Sequence, residues 1–450
     1  MTIRSSLLLS LRFLFGRGPN GRVSRRVRGG IIGVGLSLVP LIVVLQVADG
    51  MIAGITARFI EAGSYHIQAV ARHTPSDEEL RRSLAALTEI PGVRLATSER
   101  QGLGLVALGD RRTAVSIRAV EPALWERDTS LRRYIEFTSG EWTLDTEGIL
   151  IGEYVARELN ASVGDQVRVL TARATSGGRV LPRTRLFTVR GVLSSGYADL
   201  DRLWVFLPYA EGARMLPEES SRLLIGLKID EPLALPNPLF GPPSQAAADR
   251  ALATVGAVRD TLGPSFRVAT WFESERAKYM SFQTTKDLLL FIMVLIVIVA
   301  AVNISSTLVT LVLEKQEEIA IIKSYGASPA GIVRTFVTAG LILGVLGTAA
   351  GIAAGLLIAV NINEVLAALE WSINAAVWAA EWLVGGAGGD GLARIELLSG
   401  EYYLQEIPIT IRPPDVLLVT VLTLTLATVA AWFPARRAGR IRPLEVLRKH

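Results

Sequence analysis

Across 450 residues, 50% are hydrophobic, only 20% are charged and the mean hydropathy is +0.39, which is too apolar for an ordinary soluble protein. There is no cysteine, so disulfide scaffolds, thiolate metal centres and thiol nucleophiles are excluded. The three histidines, His66, His73 and His450, offer no metal-ligand spacing, and no G-x-x-x-x-G-K-[ST] occurs, so the chain has no P-loop of its own.

Residues 1–28 hold seven arginines and no acid, and are expected as a cytoplasmic amphipathic segment. Four charge-free windows follow at 29–48, 288–313, 335–363 and 416–435, of 20, 26, 29 and 20 residues. A helix of about 20 residues crosses the hydrocarbon core, so each window reads as a transmembrane helix. The first could be a signal peptide, but no small-residue cleavage site follows Ala48, and an uncleaved span is expected.

Residues 49–287 read as one large domain between the first and second spans. Its outer parts, about 49–112 and 235–275, alternate strand and helix. Strands are expected at 65–71, 94–98 and 267–270. Ser76-Asp77-Glu78-Glu79 predicts a capping box before Leu80, Leu84 and Leu87, and a second helix is expected over 249–262. The middle, about 113–230, reads as a β-rich insert broken by one helix at 153–160. The fold class is therefore a membrane protein with four transmembrane α-helices and a large α/β plus β-rich domain inserted after the first span. Positive charge stays on the cytoplasmic side. The arginines of 1–28 and the basic tail 436–450 stand against two arginines and eight acids in 364–415. That puts both termini inside, and 49–287 and 364–415 outside. In the latter loop Trp371, Trp378 and Trp382 share one helical face, suited either to the outer leaflet or to packing on the large domain.

Between the second and third spans, the segment 314–334 begins as a charged helix that stops at Gly326, with a new helix starting after Ser328-Pro329. Asn303, Ser305, Ser306 and Thr307 in the second span are candidates for bonds to a neighbouring helix. In the third span Gly340, Gly344, Gly347, Gly351 and Gly355 recur every three or four residues and predict a groove for close helix packing. No charge lies within the four windows, which argues against an ion-coupled pump. A membrane-anchored hydrolase using His66 or His73 as base is disfavoured, because no G-x-S-x-G is present and His66 falls in an expected strand.

Glu318-Ile319-x-Ile321-x-Lys323-x-x-Gly326-Ala327, followed after the last span by Pro434-Ala435-Arg436-Arg437-Ala438 and Pro443-Leu444-Glu445-Val446-Leu447, resembles the FtsX/MacB-type permeases of ABC transporters. The layout of the whole chain is similar to theirs. Within that family, Leu11-Arg12-Phe13-Leu14 with Gly16-Arg17, the stretch 152–159, Val163-Gly164-Asp165 and Gly400-Glu401-Tyr402-Tyr403-Leu404 resemble the LolC/LolE lipoprotein-releasing permeases. The resemblance implies a permease subunit without enzymatic activity, located in the bacterial inner membrane. It would pair with a second permease subunit, identical or related, and with a cytoplasmic ATPase dimer that binds ATP and Mg. It implies that Glu314, Glu317, Glu318, Ile319, Lys323, Gly326 and Ala327 form a coupling helix against that ATPase. It also implies a lipoprotein cargo and, at Arg179, Val180, Leu181, Pro182 and Arg183, a hook for a periplasmic carrier. A MacB-like export permease and an FtsX-type signal-transmitting permease are the alternatives.

Overall fold

The computed structural model describes residues 3–15, 25–174, 180–384 and 407–442. The described residues divide into two compact units, one of 3–15, 25–51, 284–384 and 407–442, the other of 52–174 and 180–283.

In chain order the first elements are helices α1 (Ile3–Phe15) and α2 (Arg25–Arg58), the latter continued by a π-helical turn over Phe59–Gly63. The second unit then runs β1 (Ile67–Ala71), α3 (Asp77–Thr88), β2 (Val93–Leu108), β3 (Arg111–Val120), α4 (Leu124–Arg127), α5 (Thr129–Tyr134) and β4 (Glu136–Gly140). It continues with β5 (Gly148–Gly152), α6 (Glu153–Leu159), β6 (Gln166–Ala174), β7 (Val180–Ser194), α7 (Ala198–Asp201), β8 (Trp204–Pro208) and α8 (Tyr209–Met215). It closes with β9 (Ser221–Ile229), α9 (Gln245–Leu262), β10 (Phe266–Thr270) and α10 (Trp271–Ser274). Ser76 Oγ accepts from the Glu79 N–H to start α3, and both halves of a capping box form at Thr270 and Glu273.

Among the described residues ten strands join one sheet in the order β10-β1-β9-β2-β3-β8-β5-β7-β4, with β6 paired to β2 and β7. This corrects the division expected from sequence. The stretch 223–229 was assigned to the β-rich insert, but β9 lies between β1 and β2, and Ile225, Leu227 and Ile229 enter the core of the α/β part. Pairing partner, not sequence neighbourhood, decides where a strand packs. The strand expected at 94–98 is 16 residues long in β2, which pairs with β9, β3 and β6 in turn. Two cores result. One gathers Ile67, Leu95, Leu227, Val258 and Trp271, the other Val106, Ile117, Ile149, Val167 and Phe187.

The first unit holds α1 and most of α2, then most of α11 (Arg276–Glu314), and α12 (Gln316–Ser324), α13 (Pro329–Val360), α14 (Ile362–Val384) and α15 (Pro413–Arg440). Among the described residues four helices, α2, α11, α13 and α15, are long and apolar enough to cross a membrane. They exceed the charge-free windows because helical structure continues beyond the hydrocarbon-length core. Charged groups therefore lie inside the helices near one end of this unit, where Lys286 Nζ sits 2.6 Å from Asp49 Oδ1 and Arg412 3.7 Å from the same oxygen. At Asn361 the chain breaks from α13 into α14, and the Asn363 side chain binds both the N–H and the carbonyl of Ile407. Trp371 and Trp378 on α14 are exposed, at 74% and 68%. The side chain of Trp382 lies outside the described residues.

Candidate functional site

The charged segment after α11 folds into α12 because Lys315 leaves helical geometry (φ −101°, ψ 13°) and restarts the helix one residue later. Its end is a Schellman motif. Gly326, at φ +93°, donates its N–H to the Lys323 carbonyl at 3.0 Å, and Ala327 N–H reaches back to Ile322 at 3.3 Å. A side chain at this left-handed position costs about 1–2 kcal/mol. Ser328 then caps α13, its Oγ accepting from Gly331 N–H at 3.2 Å.

This short helix is two-faced. Ile319 and Ala320 are buried, and Ile322 and Ala327 pack against the same apolar cluster, which includes Ile332, Phe336, Ala435 and Ala438. The opposite face carries Glu317, Glu318, Ile321 and Tyr325, all exposed, Tyr325 at 88%. Glu314 ends α11 beside this face, and Lys315 pairs with Glu318. Lys323 points the other way. Its Nζ donates to the carbonyls of Gly439, at 2.9 Å, and Ile441, at 2.6 Å. These lie at the C-terminal end of α15, where helix carbonyls lack intrahelical partners and a cation is favoured. Two motifs separated by more than a hundred residues thus meet through one ammonium. Gly439 itself lies against the start of α13, where an added Cβ would fall 2.8 Å from Val333 and 3.1 Å from the Pro329 carbonyl.

The glycines of α13 serve two neighbours. An added Cβ at Gly340 would lie 2.4 Å from Ala431, and one at Gly344 2.8 Å from Ala427, both on α15. At Gly347, Gly351 and Gly355 it would meet Val34, Leu38 and Ile42 of α2 at 2.7 to 2.8 Å. Backbones therefore approach too closely for any side chain, and α13 is clasped between α2 and α15. The spacing Ala427-x-x-x-Ala431-x-x-x-Ala435 was the legible signal for the partner face of α15. Of the polar residues singled out on α11, Thr307 lies against α2, where a Cβ added at Gly30 would fall 2.8 Å from its Cγ2. Thr307 bonds back to its own helix at the Asn303 carbonyl and Thr310 to that of Ser306.

In the sheet domain two buried cations hold the π-helical turn. Arg118 donates to both oxygens of Glu99, at 2.6 and 2.8 Å, and to the Ala62 carbonyl at 2.6 Å. Tyr65 completes the Glu99 shell at 2.6 Å, its ring lying where a Cβ on Gly226 would otherwise sit. Burial pushes the Glu99 carboxyl up, but Arg118 and Tyr65 outweigh it and hold it below the usual carboxylate range. Lys228 bonds Asp128 at 2.6 Å, and the side chain and carbonyl of Glu61 at 3.3 and 2.6 Å. His66 is buried beside them, its Nδ1 accepting from Ile229 N–H and its Nε2 3.1 Å from Glu61. That is a structural histidine, whereas His73 is exposed and apart from it. Sequence reading missed these networks, since isolated charges in strands look like surface positions.

The expected hook falls on the β6–β7 hairpin, whose strands pair from Gln166↔Thr188 to Ala174↔Val180. Arg179 and the side chain of Val180 lie outside the described residues. Leu181 and Leu186 are exposed, Pro182 is exposed opposite Ala172, and Arg183 donates to the Arg214 carbonyl.

Two family descriptions match. Residues 31–234 match the MacB-like periplasmic core domain, and residues 290–443 the FtsX-like permease C-terminal domain. The lipoprotein-releasing system transmembrane protein LolC of Xylella fastidiosa is 27% identical over 446 residues, 98% of each chain. LolC of Neisseria meningitidis serogroup B is 28% identical over 451 residues, again 98% of each. LolE of Haemophilus influenzae is 25% identical over 457 residues, the full length of both chains.

Proposed function

The chain belongs to the FtsX/MacB-type permease family, and from that premise we propose that it is a lipoprotein-releasing permease subunit of an ABC transporter in the bacterial inner membrane. The observation that carries the mechanism is the two-faced α12, with Ile321 and Tyr325 outward and Lys323 bonded to the end of α15. A separate cytoplasmic ATPase dimer binds ATP and Mg and docks on the exposed face of α12, with Glu314, Glu317 and Glu318 around its apolar pair. Ile319, Lys323 and Ala327 turn inward and pass any displacement to α13 and α15, while Gly326 fixes the helix end. The glycine contacts on α13 convert a shift of that helix into a shift of α2 and α15, because interfaces without side chains between them leave no compliant layer.

Chemistry is not required of this subunit, and its task is mechanical. Extracting a lipoprotein means exposing acyl chains at about 0.8 kcal/mol per CH₂, an expense that falls to ATP hydrolysis in the partner. A second permease copy or a related subunit forms the other wall of the exit path. The β6–β7 hairpin, with Leu181 exposed on one face and Leu186 beside Pro182 on the other, offers apolar surface to a periplasmic carrier. The MacB-like alternative differs in cargo, and the FtsX-like one moves none. The deciding experiment reconstitutes the chain with its ATPase and a second permease subunit in proteoliposomes. ATP-dependent transfer of a triacylated lipoprotein to a soluble carrier supports the proposal. Hydrolysis without transfer of lipoprotein sinks it in favour of the alternatives.

A further inference from the structure

At the end of the helix unit that carries α12, the helices α1, α13 and α15 border an open cavity of about 230 Å³. Leu7, Val333, Val337 and Trp432 make its apolar walls, and Ser6, Arg334 and Thr338 its polar ones. Ser6 is 3% exposed, and its hydroxyl has no hydrogen-bond partner among the described residues. The Thr338 hydroxyl is engaged with the Arg334 carbonyl at 2.7 Å, which leaves the guanidinium of Arg334 as the charged group of the wall. Arg334 is exposed and has no ionic partner among the described residues. A second guanidinium, that of Arg436, lies 5.2 Å from the centre of the Trp432 ring and is likewise unpaired among them. Arg437 stacks on Phe433 at 4.5 Å just beyond.

The surroundings define the occupant. Leu7, Leu8, Leu11 and Phe15 leave one side of α1 apolar and exposed, and Trp432 and Phe433 continue that surface on α15. Apolar exposure next to aromatic residues and arginines is the composition of a headgroup boundary. A free anion would not use the apolar walls, and a zwitterionic or neutral lipid would leave two guanidinium charges uncompensated. Basic pockets between helices at this level suit lipids with an anionic head.

We propose that this cavity binds one anionic glycerophospholipid, with part of an acyl chain between Leu7, Val337 and Trp432 and the phosphate between Arg334 and Arg436. The site depends only on the chain crossing a membrane and not on which cargo it moves.

The test uses the full-length chain in mild detergent, titrated with dioleoylphosphatidylglycerol or dioleoylphosphatidylcholine, with bound lipid counted by native mass spectrometry. The first phosphatidylglycerol binds more tightly than phosphatidylcholine. Arg334→Gln weakens it about fivefold and Arg334→Gln/Arg436→Gln about twenty-five-fold, at about 1 kcal/mol per cation. Arg334→Lys keeps most of the affinity, which a merely misfolded variant would not. Val337→Trp fills the cavity and removes the tight first lipid. Equal affinity for the two lipids, or unchanged binding in the arginine variants, overturns the proposal. Displacement of the bound phosphatidylglycerol by inorganic phosphate would assign the guanidinium pair to a free anion and overturn it as well.

Discussion

Replacing Lys323 with methionine removes the link between α12 and the end of α15 while keeping the stem that packs beside it. Two hydrogen bonds are lost, at 2.9 and 2.6 Å, each to a carbonyl at a helix terminus. Charge-assisted bonds contribute about 1.5–3 kcal/mol each, so about 6 kcal/mol is the ceiling. The site is only partly buried, and water replaces the ammonium at carbonyls that reach the surface. A loss of about 2 kcal/mol is the expected remainder, equivalent to a roughly thirtyfold shift toward an undocked α15 end. Since α13 meets α15 at Gly340 and Gly344 independently of this link, the bundle stays folded. The assay is the ratio of lipoprotein released to ATP hydrolysed in proteoliposomes containing the complete transporter. Lys323→Met lowers that ratio several-fold with hydrolysis preserved, and hydrogen exchange quickens at the last turn of α15. An unchanged ratio together with unchanged exchange would refute the idea that this ammonium transmits motion.

Three further outcomes follow from the same geometry. Gly351→Leu places a side chain where Leu38 Cβ would stand 2.8 Å from its first carbon, so α2 and α13 separate and thermal stability of the detergent-solubilised chain falls by about 1–3 kcal/mol. Glu99→Gln leaves Arg118 buried without its counter-charge and destabilises the sheet domain by about 3–5 kcal/mol, read from chemical unfolding. Because the Glu99 carboxyl is held low in the folded chain, its stabilisation is fully present above the unfolded value of about 4.3 and disappears as pH falls through the folded one. Wild type therefore loses domain stability on acidification below about pH 4, and in Glu99→Gln that part of the pH dependence is absent. Leu181→Asp/Leu186→Asp on the β6–β7 hairpin abolishes transfer to the soluble carrier while ATP hydrolysis continues. Normal transfer in that variant would remove the hairpin from carrier binding.

The helices were the most legible part of the sequence, since a bilayer imposes both a length and an absence of charge, and 29–48 or 416–435 satisfy both without reference to any partner. Gly326 was legible for a similar local reason, because a helix stop requires a residue tolerant of positive φ. What the sequence concealed depends on partners far along the chain. β9 looks like one more strand of its neighbourhood, yet it is the centre of the other core, paired with β1 and β2. Lys323 reads as a solvated lysine on a charged helix until the end of α15 arrives beside it. Arg118, Glu99 and Lys228 sit in strands whose alternation suggests exposure, but they are buried, and the two cations donate to carbonyls of the π-helical turn, Arg118 to Ala62 and Lys228 to Glu61. Tyr325 escaped notice because an exposed aromatic has no signature in a single sequence.

The chain has no cysteine, so Tyr325→Cys creates a unique thiol on the outward face of α12. Its rate of labelling by a membrane-impermeant maleimide, in inside-out vesicles with and without the partner ATPase, tests the central claim. The account predicts rapid labelling from the cytoplasmic side that the ATPase suppresses at least tenfold. A thiol that labels only from the opposite side of the membrane, or equally fast with the ATPase bound, would contradict it.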